Sequence, residues 1–334
     1  MSLSLPSPSD PDEVLPDEER APLVRGARER DAAYRKLVEH LSRQSVAKHY
    51  DAYLDIPWDD PAFAIDPADP RFELLPSDPL GATAWYRALP QPTRARFGLE
   101  LIASFARIGL QFENALQRGL LEYAFRLPNG APEYRYVMHE VIEEGQHSLM
   151  FQEFVNRTGL DVPGLPPLLQ FGARQVVRTA RVFPELFFLF VLGGEDPIDH
   201  VQRESLRTGQ YAHPLIRRIS QVHITEEARH LSFARHYLKD RVPRSGRVRQ
   251  ALLAVGTPLI LGEMGRMMLQ PSRQMVREFE IPADVLREAY DDNPAHQEAA
   301  ATALRKVRNL CTELGLTDGF ARRIWKARGI WANA

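Results

Sequence analysis

Two segments of the chain place a glutamate three residues ahead of a histidine, Glu144-x-x-His147 and Glu227-x-x-His230, and a further histidine, His223, stands four residues before Glu227. In an α-helix, at roughly 100° per residue, positions three or four apart share a face, so each pair could reach one metal ion from its own helix. Two more glutamates, Glu113 and Glu195, sit in separate apolar segments. Oxygen and imidazole donors without sulfur suit iron or manganese. Cys311 is the only cysteine, which excludes a thiolate cluster and an intramolecular disulfide.

Helical phase sorts the polar residues. Glu113 falls among Ile102, Phe105, Gly109, Phe112, Leu116 and Leu120, whereas Glu122 lies about 180° away and is expected outside. Glu144 and His147 share the stripe of Val137, Val141, Phe151 and Val155. Glu140, one turn earlier, is nearly in phase and is expected to support a ligand rather than bind metal; Glu143 is about 100° off. Glu195 is in phase with Phe188, Val191, Leu192 and Ile198. It has Asp196 and Asp199 as competitors, of which Asp199 is a second candidate for supporting a ligand, and Pro197 predicts a kink or bulge beside it. His223, Glu227 and His230 align with Ile216, Ile219 and Ala234, while Glu226 and Arg229 are expected to point elsewhere. His139, His200, His213 and His236 are expected at the surface or behind the ligands. Tyr123 and Tyr136 are candidates for an electron relay, with plain hydrogen-bonded burial as the simpler role.

These residues need long helices to carry them. Apolar residues recur every three or four positions from Pro92 to Phe125, Pro132 to Thr158, Pro184 to Thr208 and Pro214 to Asp240, and nowhere does alternation persist long enough for a sheet. The turn signal Pro128-Asn129-Gly130 separates the first two. Further helices are expected at Val248–Gln270, Pro294–Leu314 and near Phe320–Arg328. Upstream, Arg25–Tyr50 reads as a charged helix. Prolines at 57, 61, 67, 70, 76 and 79 make Asp55–Gly81 an extended wrapping segment, pinned by Trp58, Phe63 and Phe72. The expected organisation is a disordered tail (1–24), a helix plus wrapping segment (25–91), and a helical domain with the site and extra C-terminal helices (92–334).

Electrostatics makes the metal reading strong. Four ionised carboxylates inside an apolar bundle would repel one another and raise one another's pKa unless cations sit between them. Two divalent ions bring four positive charges against Glu113, Glu144, Glu195 and Glu227, so the charge count closes. One Glu from each of two helices plus a Glu-x-x-His from each of two others is the ligand arrangement of ferritin-like di-iron and di-manganese bundles, so an all-α, ferritin-like bundle with a di-metal carboxylate site is expected.

Composition limits the alternatives. The 334 residues carry a formal net charge of −2, which offers no basic field for nucleic acid. The longest charge-free apolar run, Ala251–Gly262, is too short to span a bilayer and is interrupted by Pro258; it is expected to be a buried helix, and no membrane partner is expected. Residues 1–17 have neither the cationic start nor the apolar core of a signal, and with the lone cysteine this suggests a cytoplasmic protein. No nucleotide fingerprint or Fe–S cysteine set is present, so electrons are expected from an external donor or reductase.

The pattern Glu113, Glu144-x-x-His147, Glu195, His223-x-x-x-Glu227-x-x-His230 resembles the AurF-type para-aminobenzoate N-oxygenase family, from which ordinary ferritin-like proteins differ by lacking the third histidine. The likeness covers about residues 90–240, and Trp58-Asp59-Asp60-Pro61 adds a weaker echo. The resemblance implies an all-helical fold, often homodimeric, with Glu113, Glu144, His147, Glu195, His223, Glu227 and His230 as ligands to two irons. Manganese or a mixed manganese–iron pair would suit the same donors. It further implies that the centre uses dioxygen to oxygenate an arylamine nitrogen, from amine through hydroxylamine towards nitro. The stretch Gly193-Gly194-Glu195-Asp196-Pro197 does not match the arylamine oxygenase closely, which bears on substrate more than on metal. Three other functions fit parts of the pattern: a di-iron desaturase or hydroxylase acting at carbon, a ferroxidase or metal-storage protein, and a metal-free helical interaction protein. Product analysis, iron loading with particle size, and elemental analysis respectively distinguish them.

Overall fold

The computed structural model describes residues 17–209, 212–267 and 270–331. Among these residues there is no strand. The helices are α1 (Asp17–Ala47), α2 (Ala84–Ala88), α3 (Gln91–Ala124), α4 (Pro132–Thr158), α5 (Pro167–Ala180), α6 (Pro184–Thr208), α7 (Pro214–Arg241), α8 (Arg247–Met267), α9 (Arg273–Glu278), α10 (Ala283–Leu286), α11 (Pro294–Ala303), α12 (Arg305–Glu313) and α13 (Phe320–Ala327). Helices α3 to α7 each have a proline in the first turn, where its fixed φ suits the helix and its missing N–H is not needed.

Four of these helices form the ferritin-like core. α3 and α4 pair across the tight turn at Pro128, α6 and α7 pair across another short link, and the two pairs meet where α4 packs on α7 and α3 on α6. α5 bridges α3 and α6, α1 lies across both α4 and α7, and α8 backs α6. The expected segments Pro132–Thr158 and Pro184–Thr208 coincide with α4 and α6.

Several sequence expectations need correction. Residues 17–24, expected in a disordered tail, belong to α1, and residues 1–16 lie outside the described residues. α5 has no counterpart among the expected helices, because Pro163, Pro166 and Pro167 look like loop breakers, yet the last of them opens a helix. The single helix expected over Pro294–Leu314 is divided at Leu304 into α11 and α12. The apolar run Ala251–Gly262 is not fully buried: Leu252, Val255 and Leu259 are exposed, because α8 sits at the edge of the molecule with only one face against α6 and α13. α6 continues unbroken through Pro197, without the expected bulge.

The proline-rich segment follows the bundle surface through two single helical turns, Pro61–Phe63 and Pro70–Phe72, capped by the Asp60 and Asp69 side chains. Trp58 and Phe72 are buried in one cluster with Phe151, Phe154, Ile216 and Ile219, and Phe63 packs against it. His213, expected at the surface or near the ligands, is instead buried under this segment. It stacks on Phe72 with ring centroids 4.6 Å apart, and its Nε2 lies 3.2 Å from the Ala64 carbonyl oxygen. The backbone of α3 runs directly against the segment at Gly98, where a Cβ would fall 1.8 Å from the Phe72 carbonyl oxygen.

Candidate metal centre

The core helices bring all seven expected ligands together and bury each of them almost completely. α3 supplies Glu113, α4 supplies Glu144 and His147, α6 supplies Glu195, and α7 supplies His223, Glu227 and His230. His147 Nδ1 lies 2.9 Å from Glu144 Oε2 and 3.4 Å from Glu227 Oε1. His230 Nδ1 lies 3.1 Å from Glu227 Oε1 and 3.1 Å from Glu144 Oε1. His223 Nε2 is 3.4 Å from Glu113 Oε1, 3.9 Å from Glu227 Oε1 and 4.0 Å from Glu195 Oε2. Four overlapping groups each offer three donor atoms within 4.8 Å of one another: Glu113–His147–His223, Glu140–Glu144–His230, Glu144–His147–Glu227 and Glu195–His223–Glu227. Glu144, His147, His223 and Glu227 each belong to two groups, which links the four groups into one cluster.

Each histidine is held from behind. His147 Nε2 is 3.0 Å from Glu226 Oε2, His230 Nε2 is 2.7 Å from Glu143 Oε2, and His223 Nδ1 is 3.0 Å from the Gln202 amide oxygen. With the outer ring N–H donated to an acceptor, the inner nitrogen keeps its lone pair for a metal. Arg229 lies between the outer carboxylates, 2.9 Å from Glu143 and 3.7 Å from Glu226, and the Tyr50 main-chain N–H donates to Glu226 Oε1 at 3.0 Å. Glu143, Glu226 and Arg229 were all expected away from the buried face, yet all three are buried. The reason is α1, which covers the groove between α4 and α7 and so buries a second stripe on each. The signal was present in the sequence as a doublet, Glu143-Glu144-x-x-His147 and Glu226-Glu227-x-x-His230.

Of the two residues expected to support ligands, Glu140 is fully buried beside Glu144 and His230. Asp199 is engaged elsewhere, 2.6 Å from Arg203 and 3.3 Å from Lys306, and Asp196 pairs with Arg235. His139 and His200 are half-buried and His236 is exposed, none of them in the four groups. Tyr136 and Tyr123 are buried. Tyr136 packs on Phe233 with centroids 4.6 Å apart, and Tyr123 packs on Phe188 and Tyr237.

The electrostatics reflect buried carboxylates crowded around three histidines, with Arg229 paired only to the outer Glu143 and Glu226. Burial, and then neighbouring carboxylates, push Glu113 and Glu195 well above the usual carboxylate range, and Glu227 is also raised. Glu140 is pushed up to about 8 by burial, with Glu144, Glu227 and Glu143 adding to it. Burial opposes the charge on Glu144 as well, but His230 and His147 outweigh it and hold that carboxyl down. His147 and His230 are raised well above the ordinary value by their carboxylate partners despite burial, and His223 is driven well down by burial and by His147. Glu113 Oε2, Glu227 Oε2 and both oxygens of Glu195 have no hydrogen-bond partner among the described residues. A buried carboxylate oxygen without a donor is strongly disfavoured unless a cation takes that place. The donor set, its burial and these orphaned oxygens fit a pair of metal ions.

The model of the family described as p-aminobenzoate N-oxygenase AurF matches residues 31–315. The chain belongs to that family. This AurF-family chain is also 40% identical over 296 residues to the uncharacterised protein Rv0885 of Mycobacterium tuberculosis and, to the same extent, to the uncharacterised protein Mb0909 of Mycobacterium bovis. Each match spans 89% of this chain and 87% of the relative. No solved structure matches it. No helix among the described residues is long and apolar enough to cross a membrane.

Proposed function

We propose that this protein is a di-metal oxygenase that uses dioxygen to oxygenate a small organic substrate, an arylamine at its nitrogen. The observation that carries this reading is the buried set of four glutamates and three histidines on four core helices in a chain of the AurF family. Glu113, Glu144, His147, Glu195, His223, Glu227 and His230 would hold two irons, or manganese in their place. When bound, the metal pair would supply the redox chemistry with dioxygen.

The protein's own share is positioning and exclusion of water. Glu226, Glu143 and Gln202 fix the rings of His147, His230 and His223. Phe112 and Phe190, with ring centroids 5.0 Å apart, and Met264 form an apolar cluster beside the backbone that carries Glu113 and Glu195. A flat apolar ring would rest against this cluster, and the same surface would keep water from the centre. In each round one oxygen atom would enter the substrate and the other would leave as water, with two electrons from an external donor and two protons from solvent. A second copy of the chain as a homodimer partner and a cytoplasmic setting complete the proposal.

The test is to load metal-free protein with ferrous iron under anaerobic conditions, add dioxygen with a panel of arylamines and a chemical reductant, and analyse products by mass spectrometry. About two irons per chain and hydroxylamine or nitro products are expected. Oxygen appearing only at carbon would move the reaction to hydroxylation, and loading far beyond two irons without organic product would make it a storage protein.

A further inference from the structure

We propose that Glu140 is an eighth protein ligand to the metal pair, a carboxylate donor on the His230 side of the centre. This rests on the di-metal reading above. Glu140 lies one turn before Glu144 on α4, on the same inward stripe, and no part of it is exposed. One oxygen of Glu140, one of Glu144 and a nitrogen of His230 lie within 4.8 Å of one another. Donors sharing one ion through bonds of ~2.1 Å are roughly 3 to 4 Å apart, so this trio closes around an ion with small side-chain movements.

The decisive contrast is with the other buried glutamates of the site. Glu143 and Glu226 sit behind the histidines, each against a histidine ring and in an ion pair with Arg229, and Glu226 also accepts a main-chain N–H. Glu140 has none of these: both of its oxygens lack a hydrogen-bond partner among the described residues. A buried polar group without a donor is disfavoured; Glu100, outside the four donor groups, shows the same orphaning, so it is the combination with the Glu144 and His230 donors that marks Glu140. Glu195, already expected to be a ligand, shows the same two orphaned oxygens. Glu140 therefore behaves as the ligands do and not as the supporting carboxylates do. The centre then has five carboxylates and three imidazoles, and the two ions differ in the number of acidic donors around them.

Titration of the metal-free, full-length protein with Mn(II), following free ion by electron paramagnetic resonance, tests this. Wild-type protein should bind two ions per chain. Glu140→Gln should keep the fold by circular dichroism and weaken one of the two sites at least 10-fold while leaving the other in place. If Glu140→Gln fails to fold, Glu140→Asp, which keeps the charge on a shorter arm, should show the same selective loss. In crystals of the Mn-loaded wild-type protein, anomalous scattering should place a Glu140 oxygen within bonding distance of the ion nearest His230. Two ions bound with unchanged affinity in the variants, or a loaded structure in which Glu140 bonds only the Tyr136 hydroxyl, would overturn the proposal while leaving the metal pair intact. Wild-type protein that takes up no Mn(II) or Fe(II) would overturn the metal pair itself.

Discussion

Glu226 shows how much of this centre depends on residues that need never touch a metal. Removing its carboxylate takes away the acceptor at His147 Nε2, one counter-charge of Arg229 and the anchor of the Tyr50 N–H. Glu226→Ala and Glu143→Ala are each expected to lower metal affinity about 10- to 100-fold, as loss of a histidine's hydrogen-bond partner does elsewhere; competition against a chelating dye would measure it. The protonation pattern gives a second expectation. Glu113, Glu195 and Glu227 have raised carboxyl pKa values, and His147 and His230 are raised as well. Without metal these groups hold their protons to higher pH than usual, and an incoming cation must displace them, so affinity should rise with pH and binding should release protons. Calorimetry in two buffers of different ionisation heat would detect that release, and identical heats in both would contradict it. At this scale the sequence was informative where a single inward stripe sufficed, as for Glu113 or His230. It misled at Glu143 and Glu226, because phase alone does not tell that α1 buries a second stripe.

Among the helices, close approach rather than propensity sets tolerance to change. Gly98 and Gly145 are both helical glycines, but a Cβ at Gly98 would strike the Phe72 carbonyl oxygen, whereas one at Gly145 meets nothing within 4 Å. Gly98→Ala must push the proline-rich segment off α3 and is expected to destabilise by about 1–3 kcal/mol. Gly145→Ala gains helix propensity and should stabilise by up to about 1 kcal/mol. Thermal unfolding of the two variants should therefore move in opposite directions. A Cβ at Gly194 would collide with the Phe112 ring and one at Gly193 with Leu261, which accounts physically for the glycine pair before Glu195. The four core helices could be read from their 3.6-residue period and their opening prolines. α5 is not legible in the same way, because a proline that starts a helix and a proline that breaks one look alike until the residues after it are placed. The exposed side of α8 was hidden for a related reason: an apolar run says that a surface is greasy, not that something covers it.

For the whole molecule, the centre links the folded state to metal supply. Ligand that binds only the native state adds roughly 2.7 kcal/mol at a free concentration of 100 times its dissociation constant. Stripping the metals with a chelator should thus lower the melting temperature by several degrees, and adding back Fe(II) or Mn(II) should restore it. A melting temperature indifferent to metal would mean that the clustered carboxylates are held by protons alone. The bond from the Tyr50 N–H to Glu226 spans 176 positions of sequence, and nearby the Ala52 N–H donates to Gln146 at 2.9 Å. Because both donors are main-chain amides, the identity of the residues there can drift while the path of the chain cannot. Insertions and deletions between α1 and the bundle are therefore the changes most able to retune reactivity, and two relatives with the same buried glutamates and histidines could differ in chemistry through the length of a loop that carries none of them.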